Sequence, residues 1–276
     1  MLVDVGDLTF SVRVEGPDDA RPVVLLHGFP QSGLSWARVV AALTGAGLRT
    51  IAPDLRGYSP GARPAEVSSY STAALVDDVI GLLDVLGLPA VDLVGHDWGA
   101  WLAWQVAVRH PDRVRSLVAV SVPHPVAMST AMSTEPDQQQ RSAYIGLFRQ
   151  EGKAEQVLLS DNAARLRAMF DGSGLSDAEV DAYVAPLQEP GALTGPLSWY
   201  RARSRADVAG LGPATVPTTF VWSDQDLAIG RAAAEACADQ VTGPYRFVAL
   251  AGVSHWIPEQ APEAVADAIL GQVAGT

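Results

Sequence analysis

The amino-acid sequence predicts an α/β protein built on a mostly parallel, doubly wound sheet with an inserted helical lid. Short apolar runs alternate with amphipathic helical stretches up to residue 122. The alternation then stops for about 90 residues rich in Ala, Gln, Arg and Ser at helical spacing, and resumes at Val216. Strand and helix in regular succession is the signature of βα units, whose strands lie parallel in one sheet.

Residues 9–15 and 22–27 read as strands, the second being the continuous apolar run Pro22-Val23-Val24-Leu25-Leu26-His27. Such a run suits a central strand buried on both faces. A helix is expected over 34–44, a strand over 49–53, and a long amphipathic helix over 71–87, closed by Gly87. Val91 to Gly95 follows as a short strand, then a helix from Trp98 to His110, then an apolar strand from Val114 to Val122. The pattern breaks at Pro123-His124-Pro125. It returns with strands at Val216–Trp222 and Tyr245–Leu250 and a terminal helix over 261–274. Residues 1–123 and 213–276 are therefore expected to form the core, and 124–212 a helical cap. An insertion at the carboxyl edge of such a sheet sits over the ligand crevice.

The chain has 276 residues, 48% of them hydrophobic and 18% charged, as in an ordinary globular domain. Its net charge of −12, from 31 acidic against 19 basic residues, argues against nucleic acid or an anionic membrane as partner. The single Cys237 excludes an intramolecular disulfide framework and a cysteine-based metal site. Met1 to Asp7 lacks a basic leader, and no apolar run is long enough to span a membrane, so a cytoplasmic protein is expected. The oligomeric state is left open, a homo-oligomer included.

Gly95-His96-Asp97-Trp98-Gly99 is G-x-D-x-G between a strand and a helix. It has the form of a nucleophile elbow with aspartate in the usual place of serine. Flanking glycines permit a sharp turn that sets the central side chain against the next helix's N-terminus, where a carboxylate is favoured. A plain helix N-cap would also explain Asp97. Context favours the nucleophile. Ser223-Asp224-Gln225-Asp226 follows the strand at 216–222, and Gly252-Val253-Ser254-His255-Trp256 follows the strand at 245–250. Nucleophile, acid and histidine then stand in that chain order at three strand ends. Between the two acids Asp226 is preferred, because the acid usually lies a few residues past the strand. His27-Gly28-Phe29-Pro30, after the central strand, supplies an oxyanion turn; the backbone N–H groups of Phe29 and Trp98 are the expected donors.

Aspartate restricts the chemistry. A carboxylate attacking saturated carbon forms an alkyl ester of the enzyme, which water can cleave, whereas a serine would form an inert ether. The first step needs no base, so His255, held by Asp226, is free to activate water for the second. The substrate must be an alkylating electrophile, and the chemistry calls for neither cofactor nor metal.

The segments 27–30, 95–99 and 252–256 resemble those of α/β-hydrolase fold epoxide hydrolases and their dehalogenase relatives, a likeness spanning nearly the whole chain. The resemblance implies a small hydrophobic epoxide opened to a vicinal diol, with water as the second reactant. It also implies two lid tyrosines that give a proton to the epoxide oxygen. Tyr200, in Leu197-Ser198-Trp199-Tyr200-Arg201, and Tyr144, in Ala143-Tyr144-Ile145-Gly146-Leu147-Phe148, match the family's segments, with Ser198 replacing an asparagine. Tyr70 and Tyr183 rank lower. A departing alkoxide is too basic to leave unassisted, so a phenol donor meets a chemical need.

Haloacid dehalogenases of this type carry arginines just after the nucleophile, where this chain has Trp98 and Trp101; haloalkane dehalogenases usually place asparagine where Phe29 stands. Halide release by the same Asp97 is therefore the alternative, and a non-catalytic ligand-binding scaffold a third reading. Trp36, Trp98, Trp101, Trp199 and Trp256 are expected to line an aromatic pocket.

Overall fold

The computed structural model describes residues 1–276. One sheet holds eight strands: β1 (Leu2–Val5), β2 (Leu8–Glu15), β3 (Pro22–Leu26), β4 (Arg49–Pro53), β5 (Val91–His96), β6 (Val114–Val120), β7 (Thr218–Gln225) and β8 (Tyr245–Ser254). Their spatial order is β1-β2-β4-β3-β5-β6-β7-β8. β1 and β2 run antiparallel, and every neighbouring pair from β4 to β8 is parallel. β1 has no counterpart in the sequence reading. It is four residues long with only Val3 fully buried, so its apolar signal is too short to register.

Helices α1 (Ala37–Gly45), α2 (Thr72–Val85) and α3 (Trp98–Arg109) connect the strands as far as β6. Between β6 and β7 the chain forms only helices and turns. These are α4 (Pro125–Thr134), α5 (Pro136–Arg141), α6 (Ile145–Phe148), α7 (Lys153–Ala168), α8 (Asp177–Gln188) and α9 (Thr194–Ala202). α7 is broken at Ser160–Ala163, where Asp161, Asn162 and Ala163 take positive φ. Ser176 and Glu179 form a capping box that fixes the start of α8. The short α10 (Arg231–Glu235) and α11 (Ile257–Gln260) precede the terminal α12 (Pro262–Ala274).

Alternation along the central strands explains the two layers of helices. Val23 and Leu25 of β3 face a core shared with Val39 and Leu43 of α1 and Val265 and Ile269 of α12. Val24 and Leu26 face the opposite core, with Leu75 and Val79 of α2 and Leu102 and Val106 of α3. The apolar runs of β3, β5 and β6 are thus sealed on both sides, and their carboxyl ends open toward the inserted helices. No helix is long and apolar enough to cross a membrane.

Candidate active site

Asp97 occupies the turn from β5 into α3 with φ 52° and ψ −120°, a strained backbone for a residue with a side chain. Three glycines make that turn possible. A Cβ on Gly95 would lie 2.2 Å from the Gly99 carbonyl oxygen, one on Gly99 2.1 Å from the Leu26 oxygen, and one on Gly28 2.4 Å from Cβ of Asp97. Strand end, elbow and the turn at 27–30 pack closer than any side chain allows.

The carboxylate that results is buried and held from two sides. Phe29 donates its backbone N–H to Oδ1 at 2.8 Å, and the Trp98 N–H also bonds the group. Oδ2 stands 3.6 Å from Nε2 of His255. Burial lifts the Asp97 carboxyl above its ordinary range, while the charge of His255 and the two N–H groups pull it back down.

His255 follows the last residue of β8, and its Nδ1 lies 3.1 Å from both carboxylate oxygens of Asp226. Burial opposes the imidazolium, but the charge and hydrogen bond of Asp226, with the charge of Asp97, outweigh it and lift His255 to about 9. Burial likewise opposes the charged form of Asp226. His255, the Ser121 hydroxyl at 2.7 Å and the N–H groups of Ala228 and Ile229 at 2.8 and 3.0 Å hold its carboxyl below the usual range. Asp224 points elsewhere, accepting the Gly252 N–H at 2.8 Å from an exposed position. A register shift in the β7–β8 pairing between Ser223 and Gln225 accompanies this divergence.

Two neighbours of this group carried no signal in the sequence. Ser121, with φ 72°, directly follows β6 and turns its hydroxyl onto Asp226. His96 is neutral, pulled down to about 3 chiefly by burial, and its Nε2 donates to the His255 carbonyl oxygen at 2.9 Å. It anchors the histidine turn to the elbow. His27 does the same for the turn at 27–30: Nδ1 donates to the Gly28 carbonyl at 2.9 Å and Nε2 accepts the Leu55 N–H at 3.0 Å.

Above the carboxylate lies a cavity of about 620 Å³. Tyr200, from α9, and Tyr144, just before α6, both line it. The Tyr200 ring is wedged against Trp98 at 4.9 Å, Phe148 at 5.0 Å and Phe29 at 5.6 Å, with Tyr144 at 6.2 Å. Burial raises both phenols well above their ordinary range, and the Asp97 charge raises them further. Tyr70 is spent on the Pro64 carbonyl at 3.0 Å, and Tyr183 stacks on Phe170; neither reaches the cavity.

Of the five tryptophans expected in the pocket, Trp98 and Trp101 line it and the other three do not. Trp36 is fully buried on the opposite face of the sheet, in the core with α1 and α12. Trp199 turns away to donate its indole N–H to the Arg56 carbonyl at 2.9 Å. Trp256 stacks on Phe170 of the inserted segment at 4.7 Å. No cluster of three His, Cys, Asp or Glu side chains forms a metal-binding group.

The chain as a whole is similar to known proteins. Residues 21–262 match the α/β hydrolase fold family. Epoxide hydrolase A of Mycobacterium tuberculosis is 32% identical, over 99% of this chain and 97% of its own. The AB hydrolase superfamily protein YfhM of Bacillus subtilis is 33% identical, over 98% and 96%. The crystal structure of epoxide hydrolase A from Mycobacterium thermoresistibile superposes with a TM-score of 0.88 at 30% identity, covering 100% of this chain and 98% of that one. The chain belongs to the α/β-hydrolase fold family, in its epoxide hydrolase branch.

Proposed function

We propose that the protein hydrolyses an epoxide to a vicinal diol through an alkyl ester on Asp97, beneath a cap formed by residues 124–212. The observation that carries this reading is the division of the Asp97 carboxylate. Oδ1 is held by the Phe29 N–H while Oδ2 faces His255, below two phenols that line the same cavity.

Oδ2 attacks a ring carbon, the C–O bond breaks, and the alkoxide takes a proton from Tyr144 or Tyr200. Burial and the nearby Asp97 charge disfavour a lasting phenolate. The proton that replaces it comes from His255, which is charged in the resting site because two carboxylates flank it. Esterification removes one of those charges, so His255 becomes a base at the moment a base is required. Neutral His255 then takes a proton from water as the oxygen adds to the Asp97 carbonyl carbon. The Phe29 and Trp98 N–H groups hold the resulting oxyanion. Collapse breaks the ester C–O bond and the departing alkoxide takes the remaining proton. Diol, Asp97 carboxylate and imidazolium are restored.

Single turnover in ¹⁸O-water tests the reading, with label expected in Asp97 before the diol; label in the first-formed diol alone would refute the ester. His255→Gln should retain substrate mass on the protein, and a Tyr144→Phe, Tyr200→Phe double variant should lose ring opening. Halide release from haloalkanes without diol formation from epoxides would favour dehalogenation instead.

A further inference from the structure

The cavity changes character along its wall. Beside Asp97 it is aromatic and apolar, but Arg149, Arg203 and Arg205 also line it. That is a concentration of cations in a chain with 31 acidic and 19 basic residues. Besides Asp97, the only acid in the lining is Asp207. Its carboxylate is already engaged by the Thr72 hydroxyl and, at 2.6 Å, by the Ser204 N–H.

Arg203 is the fixed member of the three. Its guanidinium lies 4.0 Å over the Trp101 ring and 5.8 Å from the Trp98 ring. Nη1 donates to Thr72 Oγ1 at 2.9 Å and Nη2 to the Tyr70 carbonyl at 2.8 Å, both uncharged acceptors. Nε has no partner, and its nearest carboxylate, Asp207, is 4.0 Å away. The side chain is only 11% exposed. A buried cation with one distant, shared counter-charge is costly, and burial accordingly pulls Arg203 down to about 10. Arg149 and Arg205 are exposed and pair with no carboxylate; Arg149 donates Nε to the Tyr200 carbonyl at 3.0 Å. All three arginines line the same cavity as Asp97, and the Arg203 guanidinium is stacked on Trp101, which also lines it.

We propose that the preferred substrates are epoxides bearing a carboxylate in the same molecule, with the ring against Asp97 and the carboxylate against Arg149, Arg203 and Arg205. The inference rests on the epoxide-hydrolase reading and narrows its substrate class. The charge contact lies away from the reacting carbon, so it acts mainly by lowering KM.

The test compares terminal epoxyalkanoic acids of graded chain length with their uncharged primary amides. At low ionic strength kcat/KM for an acid of fitting length should exceed that of its amide at least about tenfold, as a charge-assisted contact provides. The advantage should shrink as salt is added. Arg149→Gln and Arg205→Glu change exposed side chains and should lower the acid-to-amide ratio. The exposed and remote Arg246→Glu should leave that ratio unchanged. Amides turned over as well as the acids would overturn the inference and leave epoxide hydrolysis standing. So would a preference for acids indifferent to salt and to both arginine changes. Failure to open any epoxide, charged or neutral, would overturn the epoxide reading and this inference with it.

Discussion

Placing His255 between two carboxylates has a consequence for stability that is measurable without substrate. Its pKa rises from 6.5 to about 9 on folding, in a side chain only 12% exposed. At about 1.4 kcal/mol per unit, that shift corresponds to a stabilisation on the order of 3 kcal/mol. Because the folded pKa is the higher one, the contribution is fully present below pH 6.5 and disappears as the pH rises through about 9. Integrated from pH 7 to about pH 9.5, the loss is about 2 kcal/mol. Urea unfolding across that interval should show the wild type losing about 2 kcal/mol more than His255→Gln, which has no titrating ring. Parallel losses in the two proteins would mean that His255 is neutral in the resting site. The change from acid to base on esterification would then have to be abandoned.

Three further perturbations probe the supports of the site. Ser121→Ala removes the hydroxyl donated to Asp226 at 2.7 Å; kcat should fall together with about 1–2 kcal/mol of stability, read by kinetics and denaturant titration. Gly28→Ala would set a Cβ 2.4 Å from that of Asp97. Far-UV circular dichroism should stay native while activity falls at least about a hundredfold, because the Asp97 carboxylate cannot keep its place. Glu259 is buried against Gln31, and burial lifts its carboxyl to about 7 from 4.5. Its raised pKa makes it a cost that grows between those values, so Glu259→Gln should gain on the order of 3 kcal/mol at pH 8 and nothing at pH 4. Equal stability changes at both pH values would contradict this.

The sequence by itself singled out Asp97 as the candidate nucleophile and the chain order of the residues proposed to assist it. Asp97, the oxyanion turn and His255 sit in short motifs at strand ends, and the strand–helix alternation that locates those ends is a local, periodic property of the chain. The proposed chemistry rests on residue type, since a carboxylate at an elbow admits an alkyl ester. Tertiary structure decided what local pattern cannot encode. Asp224 and Asp226 lie two residues apart, and only the β7–β8 register shift separates the exposed one from the one facing His255. Ser121 meets Asp226 across 105 residues of sequence, so no motif joins them. Tryptophan content suggested an aromatic pocket, yet Trp36 packs on the far face of the sheet while Trp101 lines the cavity. Apolar character says that a side chain will be buried, not against which surface. The three cavity arginines became visible only when α6 and the end of α9 were folded over the elbow, because a cation's neighbours, and hence its unspent charge, are set by distance in space.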